Sequence, residues 1–298
     1  MAEAKRYAVV TGANKGIGFE VCRQLASHGI TVVLTARDEK RGLDALHKLK
    51  ESSGFSDDLL LFHQLDVANP SSVASLAEFI KNQFGRLDIL VNNAGISGVQ
   101  VDGDAVKAAA EVSREAQWEV LKSTMSKTYE SALECLEINY YGAKRMVEAF
   151  VPLLQFSQSP IIVNVSSSAG RLKTIPSERV KGILSDVDNL TEETVDEVVT
   201  AFLKDFKEGS LEANGWPELF SAYTVSKVAM NAYTRVLAKK HQNIKINCLC
   251  PGYVKTDLNY HSGKLTAEEG AESVVRLALL PEDGPSGLFF IRTEESPF

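Results

Sequence analysis

The chain has 298 residues, 44% of them hydrophobic and 24% charged, with a formal net charge of −7. That much apolar content supports a sizeable core and excludes a disordered chain, and the acidic balance argues against nucleic acid or an anionic membrane as main partner. Residues Met1 to Tyr7 carry no apolar leader and no stretch approaches the ~18 apolar residues of a membrane span, so a soluble cytoplasmic protein is expected.

Tyr7 to Thr11 is a short uncharged apolar run, the pattern of a strand buried on both faces. It leads into Gly12-Ala-Asn-Lys-Gly16-Ile-Gly18, after which Ile17, Val21, Cys22, Leu25 and Ala26 recur at helical spacing until Gly29. Strand, glycine turn and helix is the setting in which backbone N–H groups approach a pyrophosphate at a helix N-terminus. The spacing departs from GxGxxG, and a purely structural βα turn explains such glycines equally well. The second strand, Thr31 to Thr35, ends at Ala36-Arg37-Asp38. Asp38 lies 20 positions after Gly18 (38 − 18), where an acid bonds a ribose 2′-OH and selects NAD. Arg37 and Lys15 are placed to meet a 2′-phosphate instead, and two cations outweigh an Asp free to turn to solvent, so NADP is favoured.

Leu59 to Leu65 is a third strand ending in Asp66-Val67. There a carboxylate can meet an adenine amino group or simply serve the turn, since Asn69-Pro70-Ser71-Ser72 starts a helix through Phe84. Asp88 to Gly95 is a fourth strand breaking into a small-residue turn. Alternating strands and helices imply a parallel sheet with ligands at the strand C-termini. From Ser97 to Tyr129 the pattern weakens. Ala108 to Val112 looks helical, with Trp118 and Val120 as candidate anchors, and the stretch is either a cover for the site or a structural excursion. A helix from about Tyr129 to Phe156 carries Asn139 near its middle. Asn is a poor helix-interior residue, which marks either a special contact or a satisfied core side chain.

Pro160 to Val165 is a fifth strand ending in Ser166-Ser167-Ser168-Ala169-Gly170. A polar, acidic stretch follows. In it Thr191 is a candidate N-cap with Glu192 and Glu193 at the helix dipole, and Val195, Val198, Val199, Phe202 and Phe206 mark one apolar face up to Gly209. This reads as an inserted helix packed on the main body, over about residues 171–220, rather than a separate domain; the bland alternative is a spacer. In Ser221 to Val228, Tyr223 and Lys227 are four apart and share one helix face, with Cβ atoms ~5–6 Å apart. A cation that close, at an effective dielectric of ~20, favours the phenolate by ~3 kcal/mol, roughly two pKa units. Such a phenol moves toward the range for proton exchange with a substrate oxygen. On spacing alone, a surface Lys beside a half-buried Tyr is the commoner explanation. Ile244 to Leu249 is a sixth strand running into Pro251-Gly252-Tyr253-Val254-Lys255-Thr256, Ala267 to Leu280 a helix, and Gly287 to Ile291 a last short strand. Cys22, Cys135, Cys248 and Cys250 form no CxxC pair and no ligand spacing with the five histidines, so reduced, buried thiols and no metal are expected.

Taken in order, Thr11-Gly12-x-x-x-Gly16-x-Gly18, Asn92-Asn93-Ala94-Gly95, Asn139, the serine after the fifth strand and Tyr223-x-x-x-Lys227 resemble the short-chain dehydrogenase/reductase family over nearly the whole chain. The large insert resembles the monomeric carbonyl reductases. The runs Asn139 to Met146, Cys250 to Asp257 and Glu269 to Leu280 resemble the plant branch, which includes menthone and salutaridine reductases. The resemblance implies a Rossmann-type, doubly wound parallel α/β sheet as a single NADP-binding domain over 1–298, with the helical insertion before the active tyrosine. It implies a monomer, because the insert covers a surface that tetrameric members use for assembly.

By the same resemblance Ser167, three before Gly170, donates a hydrogen bond to a substrate carbonyl, and Tyr223 protonates its oxygen. Lys227 holds the nicotinamide ribose and lowers the Tyr223 pKa, and Asn139 positions a water that relays protons. NADPH is the implied cofactor, met by Gly12, Asn14, Lys15, Gly16, Ile17, Gly18, Arg37, Asp66, Val67, Asn92, Ala94, Gly95, Tyr223, Lys227, Pro251, Gly252, Val254 and Thr256. Relatives that reduce C=C bonds carry an acid in place of the tyrosine, so Tyr223 favours C=O. The expected activity is reduction of a ketone or aldehyde on a small apolar substrate, such as the monoterpenoid ketone menthone. An enone C=C reductase and a non-catalytic NADP-binding redox sensor are the alternatives.

Overall fold

The computed structural model describes residues 5–56, 58–102, 104, 119–120 and 122–298. Its strands are β1 (Tyr7–Val10), β2 (Thr31–Ala36), β3 (Leu60–Gln64), β4 (Ile89–Asn92), β5 (Ile161–Val165), β6 (Lys245–Cys250), β7 (Phe289–Ile291) and β8 (Glu294–Ser296). They form one sheet in the order β3-β2-β1-β4-β5-β6-β7-β8. The helices are α1 (Gly16–Ser27), α2 (Glu39–Ser53), α3 (Pro70–Phe84), α4 (Tyr129–Leu136), α5 (Gly142–Leu154), α6 (Glu178–Ser185), α7 (Glu192–Lys207), α8 (Ser221–Lys240) and α9 (Ala267–Ala278).

Successive residues of β1 feed opposite cores, as a period of two requires. Ala8 and Val10 pack with α1, α2 and α9 through Val21, Leu25, Leu49 and Val274. Val9 packs on the other side with α3, α5 and α8 through Leu76, Phe150 and Val228. The result is the expected doubly wound sheet, parallel from β3 across to β7. The parallel expectation is corrected at the edge, where β8 pairs antiparallel with β7. Only Arg292 and Thr293 connect the two strands, enough for a hairpin but far too few for a parallel crossover. Arg292 takes the positive φ (56°) that tight hairpin loops demand.

The long helix expected around Asn139 is continuous but not uniform. A π-helical turn, Glu137–Tyr141, joins α4 to α5. The insert contains two helices, α6 and α7, where one was expected. Thr191 caps α7, accepting from the Thr194 N–H at 3.2 Å. Val195, Val199 and Phe202 are fully buried in the same core cluster as α5 and α8. Polar contacts fasten the same seam. The Tyr140 hydroxyl and Lys144 Nζ each donate to Asp196 at 2.7 Å, and Lys240 Nζ donates to Glu192 at 2.8 Å. The insert is thus a packed layer rather than a spacer. All four cysteines are buried and unpaired. Among the described residues no helix is long and apolar enough to cross a membrane.

Candidate active site

The chain runs outward from β1 through β2 to β3, then returns to pair β4 on the other side of β1. Helices leave such a reversal on opposite faces, opening a crevice at the strand C-termini. The turns after β1 and β4 meet there. Gly12 and Gly16 have φ of 62° and 59°. A Cβ on Gly12 would stand 2.9 Å from the Ala94 Cα, and one on Gly18 would stand 2.5 Å from Asn93 Nδ2. Asn93 causes that crowding by stapling the two turns together. Its Nδ2 donates to the Thr11 and Gly12 carbonyls at 2.9 and 3.0 Å, while Thr11 Oγ1 accepts from the Asn93 and Ala94 N–H groups at 2.9 and 3.0 Å. Lys15 sits at the N-cap of α1 without a side-chain cap bond. Uncapped first-turn amides beside two left-handed glycines are a donor set for a diphosphate, so the crevice fits a dinucleotide.

Around the rim the sequence-predicted cofactor residues divide. Asp38 caps α2, its Oδ1 accepting from the Arg41 N–H at 2.9 Å. Arg37 beside it is 69% exposed, 3.8 Å from Glu134. Lys15 is exposed and pairs with Asp257. Asp66 behaves as the turn residue of the alternative reading, since its Oδ1 accepts from the Ala68 N–H at 3.0 Å. Three side chains are committed elsewhere. Asn92 is buried with its Nδ2 donating to Asn164 Oδ1 at 2.9 Å, which carries on to Thr234 through Asn164 Nδ2. Val67 packs on α5, where a Cβ on Gly142 would be 2.8 Å from its methyl. Val254 packs on α9, 2.6 Å from where a Gly270 Cβ would be. Asn14 and Ile17 are half-buried in the glycine turn, with Ile17 against the core of α1 and α9. Pro251 and Gly252 (φ 93°) begin the loop after β6, which closes on that turn through the Thr256 methyl, 3.4 Å from a Cβ position on Gly16.

The four predicted catalytic residues do come together. Of the three serines after β5, Ser166 is buried and Ser168 exposed, while Ser167 is half-buried and close enough to the Tyr223 phenol to oppose the rise of its pKa. Ser167 Oγ also accepts from the Ala169 N–H at 3.2 Å. Gly170 lets this loop lie against α8. A Cβ there would be 2.7 Å from Asn231 Nδ2, which donates to the Gly170 carbonyl at 2.9 Å. Lys227 is 4% exposed, its Nζ donating to the Val165 carbonyl at 2.8 Å and lying 5.7 Å from the centre of the Tyr223 ring. Gly95 lies between elements of the site: its Cβ position is 3.2 Å from Asn139 Oδ1 and 3.7 Å from Lys227 Nζ.

One expectation is corrected by the burial of the pair. Burial pushes the Tyr223 phenol up to about 12, with Ser167 opposing, and pulls the Lys227 ammonium down to about 8. Desolvation disfavours the charged form of each group and outweighs their mutual attraction. The ammonium, moreover, is aimed at a carbonyl rather than at the phenol oxygen. At neutral pH Tyr223 is therefore a phenol with its proton in place.

Asn139 occupies the π turn and its side chain is fully engaged. Oδ1 accepts from the Ile96 N–H at 2.8 Å, and Nδ2 donates to the Ile96 carbonyl at 2.9 Å and to Ser226 Oγ at 3.0 Å. Ser226 in turn donates to the Tyr223 carbonyl at 2.7 Å. Ser226 and Asn231 were not singled out by sequence, and Asn93 only as part of the run Asn92-Asn93-Ala94-Gly95. Of the first two, only Ser226 had a signal, since a serine three residues past Tyr223 is at back-bonding spacing. Lys122 and Lys127 both reach Glu218, at 2.5 Å, tying the end of the 97–129 stretch to the segment entering α8. Ala108 to Val112 and Trp118 lie outside the described residues.

A model of the short chain dehydrogenase family matches residues 6–177 and 209–265. The unmatched 178–208 coincides with α6 and α7. The (+)-neomenthol dehydrogenase of Arabidopsis thaliana is 59% identical over 298 residues, covering 99% of each chain. Salutaridine reductase of Papaver somniferum superposes with a TM-score of 0.89 at 55% identity, over 96% of this chain and 99% of that one. A menthone neomenthol reductase from Mentha piperita gives 0.87 at 50% identity, over 98% and 100%.

Proposed function

The chain belongs to the short-chain dehydrogenase family and is an oxidoreductase acting between alcohols and carbonyl compounds; from that premise we propose that it reduces the C=O of a small apolar ketone or aldehyde with NADPH. The observation that carries this reading is the meeting of Ser167, Tyr223 and Lys227 beside a crevice whose glycine turn presents uncapped helix amides. When bound, the nicotinamide supplies the hydride received by the carbonyl carbon. Ser167, its oxygen already accepting from Ala169, turns its O–H toward the carbonyl oxygen and holds it beside the phenol. Tyr223, kept neutral by burial, gives its proton to that oxygen as negative charge develops there, and the product is the alcohol. The Lys227 ammonium then stands close enough to stabilise the phenolate left behind. Asn139 holds the backbone at Ile96 and, through Ser226, the turn of α8 that carries Tyr223.

For the 2′-phosphate the support lies at the rim. Asp38 commits one oxygen to capping α2, which takes it from the ribose-binding role, while Arg37 stays exposed beside it and Lys15 tops α1. The names of the relatives, reductases or dehydrogenases of menthone, neomenthol and salutaridine, favour a cyclic ketone of terpenoid or alkaloid type, with menthone the first to try. The α7 layer across α5 and α8 favours a monomer, and four unpaired thiols suit a reducing cytoplasm.

Product analysis tests the reading. Purified protein with NADPH should convert menthone to an alcohol and a cyclic enone to the allylic alcohol. A saturated ketone from the enone would move the chemistry to the C=C bond. Binding of NADPH without its consumption, across terpenoid ketones, alkaloid ketones and simple aldehydes, would leave a binding protein only.

A further inference from the structure

Lys15 does not stand alone at the rim. Its Nζ pairs with one oxygen of Asp257, whose other oxygen is 2.9 Å from His261 Nε2. β4 and β5 separate β1 from β6, so the loops bearing Lys15 and Asp257 start about 14 Å apart, three strand spacings of ~4.7–4.9 Å. The ion pair therefore spans the mouth of the crevice. Asp257 is also held in place from its own side. The Thr256 methyl abuts Gly16, Asn259 Nδ2 donates to the Val254 carbonyl at 2.8 Å, and the His261 N–H donates to the Thr256 carbonyl at 2.9 Å. Tyr260 and His261 are both left-handed, at φ 54° and 61°. Two consecutive bulky residues in that region persist only where their surroundings over-determine them. The Lys15 pair keeps the Asp257 carboxyl below its usual range.

We propose that Asp257 is a specificity-determining residue for the cofactor: it holds Lys15 across the crevice in the free protein and competes with the 2′-phosphate of NADPH for that ammonium. The inference rests on the 2′-phosphate reading given above. A phosphate monoester brings about −1.5 to −2 charges to Lys15 at neutral pH. Asp257 must then share the ammonium or release it, and in either case it repels the newcomer. NADH carries no phosphate at that position and meets no such competition. The acid thus restrains NADPH affinity selectively.

The test is to measure Kd for NADP+ and NAD+ with wild type, Asp257→Asn, Lys15→Ala and the double variant. The isosteric Asp257→Asn should tighten NADP+ about three- to ten-fold, the scale of an exposed ion pair plus a removed repulsion, and leave NAD+ within about two-fold. In the Lys15→Ala background the gain for NADP+ should shrink to under about two-fold, the screened repulsion alone. NAD+ affinity shows that the crevice is intact in each variant. An unchanged NADP+ to NAD+ ratio in Asp257→Asn, an equal gain for both ligands, or a gain that is undiminished without Lys15 would overturn the inference. If wild type prefers NADP+ while Asp257→Asn is indifferent, this inference alone fails. If wild type binds both ligands alike, the 2′-phosphate reading fails and the inference with it.

Discussion

Lys227→Met in the cofactor-free protein gives a stability difference whose pH dependence is fixed in advance. Lys227 is 4% exposed, its ammonium has a carbonyl rather than a carboxylate as its partner, and burial pulls it from 10.5 to about 8. Over (10.5 − 8) units, at ~1.36 kcal/mol each, the wild type carries a penalty of about 3 kcal/mol. The sign follows from linkage: the unfolded chain holds this proton more tightly, so stability rises with pH between about 8 and 10.5. Below about 8 the penalty is fully present, and above 10.5 it is gone. The methionine variant has no such titration. The variant-minus-wild-type stability should therefore be about 3 kcal/mol more positive at pH 7 than at pH 10.5, whatever constant offset comes from repacking and the orphaned Val165 carbonyl. Urea unfolding of both proteins at intervals across that range measures it. A difference that stays flat would mean that Lys227 titrates as an ordinary exposed lysine, and the buried-amine account of the site would have to be abandoned.

Tyr223→Phe removes the proton donor but not the ring, so turnover should fall by about 10²–10⁴ while NADPH affinity changes by no more than a few fold. Near-normal turnover would place the donor elsewhere. Arg37→Ala should weaken NADPH about ten-fold or more, as loss of a charge-assisted contact does, and leave NADH nearly unchanged; equal losses in fluorescence titrations would argue against a 2′-phosphate contact. Asp196→Ala strips the shared partner from Tyr140 and Lys144 at the α7 seam and should cost about 2–3 kcal/mol in denaturant unfolding. A loss under about 0.5 kcal/mol would show that apolar packing alone holds α7.

What the sequence shows is periodicity, and elements with a clear period were legible. β1 and α7 follow directly from their apolar spacing. By contrast α2 has a thin stripe: Leu43 is 49% exposed, Ala45 and Leu49 are buried in the core, and Leu46 is only partly buried against it. Gly42 weakens that helix signal further, yet it is what allows Phe62 to approach, since a Cβ there would be 2.0 Å from the ring. Glu294-Glu295-Ser296 has no alternation to mark β8 as a strand. At the site, motif positions were legible but their commitments were not. Adjacent Asn92 and Asn93 look equivalent on paper, yet the pleat sends one to Asn164 and the other to the glycine turn. The Tyr223–Lys227 spacing gave the separation of the charges and nothing of the desolvation that opposes them.

The π turn at Asn139 explains how these parts stay in register. An extra residue in a helical turn is a costly irregularity that survives where it serves a site. Here it places a fully buried amide where both polar atoms of Ile96, just past Gly95, find partners, and where Ser226 is pinned to the Tyr223 carbonyl. One side chain thus joins the β4 turn, the α4–α5 junction and the turn of α8 that carries Tyr223. Buried polar networks with every member satisfied are rigid. The loop after β6, in contrast, is tied to the glycine turn by an exposed ion pair of a kind worth about 0–1 kcal/mol. The Tyr223 side of the crevice is therefore held by buried bonds, and what a ligand can displace at modest cost is the Lys15–Asp257 contact.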